Sequence, residues 1–140
     1  APVLAEDAGI KIEQAYDLKE VGYTNMISCR VHWQGGSRLV GGVLFGGTEP
    51  RIVQVDEYRL EAKPEGHLLF MRNKDVPGVI GQVATLLSTY DVNVAEWRLG
   101  RSAPGGEALC FVNLDRVPPQ PVLDAIAQAT AVTEVKLISL

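Results

Sequence analysis

The sequence predicts an α+β protein in two parts, and three features of the chain predict it. Residues 1–66 run in short stretches that alternate apolar and polar side chains, parted by turn dipeptides such as Gly35-Gly36 and Asp56-Glu57, the pattern of a β-meander. Residues 67–140 interleave such stretches with two in which apolar residues recur every three or four positions, the period of a helix. Between them lies Pro64-Glu65-Gly66, where a residue that fixes the backbone and one that frees it make a natural linker.

In the first part, Pro2–Asp7 reads as the end of a helix stopped at Gly9, because Pro suits a first helical turn and Gly a stop. Ile10–Tyr16 follows as a strand. Asn25–Gln34 and Arg38–Phe45 are two more, joined through Gly35-Gly36, whose backbone tolerates the positive φ of a tight hairpin. Ile27, Cys29, Val31 and Trp33 share one face of the first of these. Arg51–Val55 and Tyr58–Lys63 form a second hairpin, in which Tyr58, Leu60 and Ala62 alternate with Arg59, Glu61 and Lys63, so one face is wet. Two hairpins cannot cover their own apolar face. The cover is expected from chain upstream of Ala1, and a start at Ala1 rather than Met is what a fragment or processed product would show.

In the second part, His67–Arg72 is a strand that leads through Asn73-Lys74-Asp75-Val76-Pro77-Gly78 into a helix at Val79–Tyr90. Val79, Ile80, Val83, Leu86, Leu87 and Tyr90 recur at spacings of three and four, a stripe that packs on a sheet. Val94–Arg101 and Glu107–Leu114 are antiparallel strands around a Pro104-Gly105-Gly106 turn. On the first of them, Val94, Glu96 and Arg98 alternate with Ala95, Trp97 and Leu99. A helix after Pro118-Pro119 carries Val122, Ile126 and Ala129 on one side, and Val132–Ile138 closes as a strand. The order βαββαβ is that of a ferredoxin-like domain, four antiparallel strands with both helices on one face. The fold hosts many functions and settles none of them.

Composition excludes several classes. The chain has 140 residues, with 13 Lys and Arg against 17 Asp and Glu, a net charge of −4 and 46% hydrophobic residues. A chain of this size buries roughly 68–70% of its unfolded surface, enough for a proper core. A pI near 5.1 with interspersed charges argues against a nucleic-acid partner or a polybasic membrane module, both of which need clustered cations. Glu107-Ala108-Leu109-Cys110-Phe111-Val112 lacks the basic-Gly-aromatic run of a base-stacking strand, and Gly78-Val79-Ile80-Gly81 has an aliphatic middle where an RNA clamp is cationic, so Phe111 reads as core. No apolar run nears 18 residues and no leader pattern opens the chain, so a cytoplasmic setting is expected. Cys29 and Cys110 are isolated, and His32 and His67 have no metal-ligand spacing, so no metal site is expected. Dinucleotide, zinc-protease and nucleophile-elbow motifs are missing, and the chain has no predicted catalytic residue.

The segment Asn73-Lys74-Asp75-Val76-Pro77-Gly78-Val79-Ile80-Gly81 is the strongest candidate site, because a polar loop runs straight into a helix N-terminus whose free N–H groups suit a carboxylate. Asp75 and Asn93 could accept from an ammonium, so the set would hold both ends of a free amino acid. The plainer readings are a helix N-cap for Asp75, a turn residue for Asn93, and close helix–sheet approach for Gly78 and Gly81. A subsidiary anion site at Arg51, Lys63 and Arg72 competes with ordinary solvated charge. Val94–Arg101 is the expected edge strand, through which two copies would pair.

These residues carry a family resemblance. The segment 73–81, the helix after it and Val92-Asn93-Val94 resemble the ACT domain, a small amino-acid-sensing module, over His67–Leu140. Upstream, residues 41–53 (Gly41-Gly42-Val43-Leu44-Phe45-Gly46-Gly47-Thr48-Glu49-Pro50-Arg51-Ile52-Val53) and Pro64-Glu65-Gly66-His67 resemble the junction between the intervening and ACT domains of bacterial D-3-phosphoglycerate dehydrogenases. The resemblance implies a partial intervening domain at 1–66 and an ACT domain at 67–140. It implies a parent enzyme that oxidises 3-phosphoglycerate with NAD on domains N-terminal to Ala1, so this chain would hold no cofactor itself. It also implies feedback inhibition by L-serine bound between ACT domains of neighbouring subunits, with Asn73, Asp75 and Asn93 and the backbone of Val76, Pro77, Gly78, Val79 and Ile80 as contacts. The alternatives are the regulatory part of an L-serine dehydratase subunit, and an oligomerisation module that binds nothing.

Overall fold

The computed structural model describes residue 23 and residues 25–140; the expected helix end at Pro2–Asp7 and strand at Ile10–Tyr16 lie outside the described residues. The first part forms one antiparallel sheet, β1 (Ile27–Trp33), β2 (Gly36–Phe45), β3 (Glu49–Val55) and β4 (Tyr58–Ala62), in sequential order. The second part is β5 (His67–Lys74), α1 (Val79–Thr89), β6 (Val94–Arg101), β7 (Glu107–Leu114), α2 (Gln120–Ala127) and β8 (Val132–Ser139). Its sheet order is β6-β7-β5-β8, all antiparallel, so the βαββαβ expectation holds and β6 lies at an edge.

Alternation along β5 and β7 explains why their sequences, Leu-Leu-Phe-Met and Leu-Cys-Phe-Val, show no polar face. Leu69, Met71, Cys110 and Val112 point toward the helices and pack with Val79, Val83, Leu87, Val122 and Ile126. Leu68, Phe70, Leu109 and Phe111 point to the opposite face, where they join Val55, Tyr58, Leu60 and Ala62 of the first part. The second hairpin therefore covers the open side of the second sheet, and Phe111 is core. Full burial of each such side chain contributes about 1.5–3 kcal/mol. Phe70 and Phe111 sit with ring centroids 5.5 Å apart in that layer. The linker is pinned rather than loose: the buried Asn113 amide donates to the carbonyls of Lys63 (3.1 Å) and Glu65 (3.2 Å). By contrast Ile27, Val31 and Trp33 of β1 are 80%, 56% and 53% exposed, the uncovered apolar face that the sequence pattern implies.

Element bounds shift by one or two residues from the sequence reading, and three differences in the second part bear on the site. β5 runs on through Asn73 and Lys74, because both keep cross-strand partners in Ala108 and Glu107. On α1 the buried seam is Val79, Val83 and Leu87, while Ile80 and Tyr90 are exposed. Spacings of three and four admit two neighbouring stripes, and Ile80 lies about 100° round the helix from Val79. On β6, Val94 packs on the helix side with Trp97 and Leu99 rather than beside Glu96 and Arg98. The pairing jumps from Val94–Leu114 to Glu96–Asn113, so a bulge at Ala95 resets the alternation.

Candidate functional site

After Lys74 the chain leaves the sheet and turns into α1. The N-cap is Gly78, at φ 93°, with no side-chain cap. Asp75 is therefore not the cap, and the first N–H groups of α1 are left without a side-chain acceptor. Gly78 is required by its left-handed φ, whereas a Cβ at Gly78 or Gly81 would touch nothing within 4 Å, so close helix–sheet approach does not explain either glycine. Val76 and Ile80, on either side of this turn, are exposed.

Asn73 is only 3% exposed. Its Nδ2 donates to the Lys74 carbonyl at 2.7 Å and its Oδ1 accepts from the Cys110 thiol at 3.6 Å, so the amide is turned inward beneath the loop. Burial pushes that thiol up to about 11 and the charge of Asp75 adds to the rise, so Cys110 stays a neutral donor to Asn73. Asp75 faces outward. Its Oδ2 accepts from Arg101 Nη1 (3.3 Å) and from the Gly105 N–H (3.2 Å), and its own N–H donates to the Gly106 carbonyl (2.8 Å). No motif singles out Arg101 or Gly105, yet the element order contains them: if the end of β5 pairs with the start of β7, the β6–β7 turn must lie beside Asp75.

Asn93 lies elsewhere. It precedes β6, its Nδ2 donates to Asp115 Oδ2 (2.8 Å) and its carbonyl accepts from the Asp115 N–H (3.2 Å). A shallow groove of about 270 Å³ opens there, lined by Ala84, Ser88, Asp91, Val92, Asn93 and Val94. Asp75 contacts the turn before β7 and Asn93 contacts the residue after it, so the eight residues of β7 separate them by about 25 Å. Within one chain the two cannot touch one amino acid.

The candidate anion site does not assemble. Arg51 and Lys63 flank the paired Ile52 and Ala62, and the Arg51 guanidinium is held by Glu49 (2.7 Å) and the Pro50 carbonyl (2.9 Å). The Arg72 guanidinium lies 5.4 Å over the ring of Tyr58, at the other end of β4, about 17 Å along the strand from Lys63. The direction of β4 therefore keeps Arg72 away from Arg51 and Lys63.

Among the described residues, no helix is long and apolar enough to cross a membrane. A ferredoxin-like sheet with an open loop at its first helix is the architecture of an ACT domain, and residues 67–131 match the ACT domain family model. Residues 1–56 match the D-3-phosphoglycerate dehydrogenase intervening domain. The chain is 30% identical over 137 residues to the D-3-phosphoglycerate dehydrogenase of Bacillus subtilis, an alignment covering 98% of this chain and 26% of that one. It is 31% identical over 140 residues to the enzyme of the same name from Methanocaldococcus jannaschii, covering 100% and 26%. The chain thus spans about a quarter of the length of these curated relatives. Along its whole length the chain is similar to the C-terminal regulatory part of D-3-phosphoglycerate dehydrogenases, with a region matching their intervening domain followed by one matching the ACT domain.

Proposed function

We propose that the chain is the regulatory part of an NAD-dependent, cytoplasmic D-3-phosphoglycerate dehydrogenase, with residues 1–66 as the intervening portion and 67–140 as the ACT domain. Two copies pair through their ACT domains and bind L-serine between them, which inhibits the parent enzyme. One observation carries this reading: the candidate contacts sit at the two ends of the same edge strand. Asp75 is bonded to Arg101, the last residue of β6, and Asn93 immediately precedes Val94, the first. Antiparallel pairing of an edge strand with its own copy about a two-fold axis sets the start of one against the end of the other. Asn93 of each copy then meets Asp75 of the other, twice per dimer.

In that site the serine ammonium is held by Asp75 and the Asn93 carbonyl oxygen of its amide, and the carboxylate by the uncapped N–H groups at Gly78, Val79 and Ile80, where the helix dipole favours an anion. Val76 and Pro77 shape the approach to those N–H groups. Asn73, its amide committed inward, holds the end of β5 beneath the loop. NAD and 3-phosphoglycerate belong to the rest of the parent enzyme.

Asp75 already has partners in Arg101 and Gly105, and that favours a second reading, an oligomerisation module that binds no ligand. Calorimetric titration of the chain with L-serine, glycine and a panel of other amino acids separates the two. Serine binding that disappears in Asp75→Ala with the far-UV spectrum intact supports sensing; absence of heat with every amino acid leaves the oligomerisation module.

A further inference from the structure

The β6–β7 turn is held from both sides. On one side is the Asp75 latch, with Asp75 Oδ2 on Arg101 and on the Gly105 N–H, and the Asp75 N–H on Gly106. On the other side is the first part of the chain. The Tyr58 hydroxyl, at the start of β4, donates to Glu107 Oε2 at 3.4 Å, and Glu107 directly follows Gly106. Ser102 ties Glu107 across the turn, its N–H donating to the Glu107 carbonyl (3.0 Å) and its Oγ accepting from the Glu107 N–H (3.3 Å). Gly100, the residue before Arg101, lies so close beneath β4 that a Cβ there would come within 2.7 Å of the Arg59 carbonyl oxygen.

We propose that this turn is a coupling element: release of the Asp75–Arg101–Gly105 latch is transmitted through Gly100 and Glu107 to Arg59 and Tyr58 of β4. The inference rests on Asp75 as the effector contact, and it adds the route by which an effector on the ACT domain reaches the neighbouring domain. An ammonium drawn to the Asp75 carboxylate competes with Arg101 and the Gly105 N–H for its charge, so ligand binding weakens the latch. A ligand shifts a conformational equilibrium only through such differential contacts. Once Arg101 and Gly105 lose their acceptor, the two residues that fix the ends of the turn against β4, Gly100 and Glu107, are each one or two positions away. Tyr58 and Arg59 occupy the face opposite the latch and touch no effector, which makes them positioning residues. Coupling is reciprocal, so a change at Tyr58 must alter effector affinity. Arg101 acts as the effector's competitor for that carboxylate.

The test is amide hydrogen exchange on the whole chain, read by mass spectrometry, with and without L-serine, for wild type, Arg101→Met and Tyr58→Phe. Without ligand, Arg101→Met speeds exchange in residues 102–106 and also in β4, and Tyr58→Phe speeds exchange at Gly105 and Gly106, while β1 and β8 are unchanged. Effects confined to the substituted side of the turn overturn the coupling. With serine, wild type shows altered exchange in β4, Arg101→Met binds serine more tightly, and Tyr58→Phe changes serine affinity by about fivefold or more. If wild type binds serine while Tyr58→Phe leaves affinity and β4 exchange untouched, or if Arg101→Met weakens binding, this inference fails and the serine reading stands. If no amino acid binds wild type, the serine reading fails, and the ligand-free exchange still decides whether the turn couples the two domains.

Discussion

Arg38 shows how much one side chain can join. It projects from β2, pairs with Asp56 at 3.5 Å and with Glu134 of β8 at 3.3 Å, and its guanidinium lies 5.1 Å over the Phe70 ring. It therefore ties the first part of the chain to the second through charge and through a cation–π contact. Burial works to raise Glu134, but the hydrogen bonds and charges of Arg38 and Lys136 together outweigh it and hold the carboxyl below its ordinary range. A lowered folded value means stability that is present above the ordinary carboxylate range and is lost as pH falls through the folded value. Arg38→Met should cost about 1–3 kcal/mol at neutral pH, since a hydrogen bond to a charged group and the ring contact both go. Denaturant unfolding at neutral and at acid pH checks it: the gap between wild type and variant should narrow in acid, and a gap that is constant with pH would assign the loss to packing alone. Nothing in the pattern of single residues announces this tie, because Arg38 and Glu134 are 96 positions apart and each reads as a solvated charge on its own strand.

At the scale of elements, the strands and helices of the second part were legible because each carries a period of its own, and β4 was legible from its strict alternation. What the pattern could not carry were features decided by a partner. Asn73 and Lys74 look like loop residues until Ala108 and Glu107 pair with them, and Val94 looks outward-facing until the Ala95 bulge turns the strand. The candidate loop was legible in composition, Asp75 and Gly78 included, while its partners Arg101 and Gly105 follow only from strand order. Gly100 is another such case. Its side of β6 lies against β4, and an added methyl must push back the Arg59 backbone. Gly100→Ala should destabilise the chain by about 1–3 kcal/mol, as overpacking does. Thermal unfolding measures it, and Gly81→Ala, with open space around its Cβ and a helical backbone, is the matched control that should be neutral or slightly stabilising.

Across the whole molecule, the two sheets share a core. Val55, Tyr58, Leu60 and Ala62 close the face formed by Leu68, Phe70, Leu109 and Phe111, so neither part can leave without exposing the other. The chain should unfold in one transition, with intrinsic fluorescence of Trp33 in the first part and Trp97 in the second reporting the same midpoint when each is read in a single-Trp variant. Two separated midpoints would mean that the shared layer does not couple them. The proposed effector site belongs to a still larger scale, because Asp75 and Asn93 lie about 25 Å apart in one chain and come together only when β6 pairs with its copy. The most direct measurement is complementation between two defective variants. Asp75→Ala and Asn93→Ala each leave every site of a homodimer incomplete, but a mixed dimer unites intact Asp75 from one copy with intact Asn93 from the other. After unfolding and refolding an equal mixture, half the dimers are mixed and one of their two sites is whole, so calorimetry should find serine sites at roughly a quarter of the wild-type number. A mixture as silent as either variant alone, while wild type binds, would contradict a site shared between two copies.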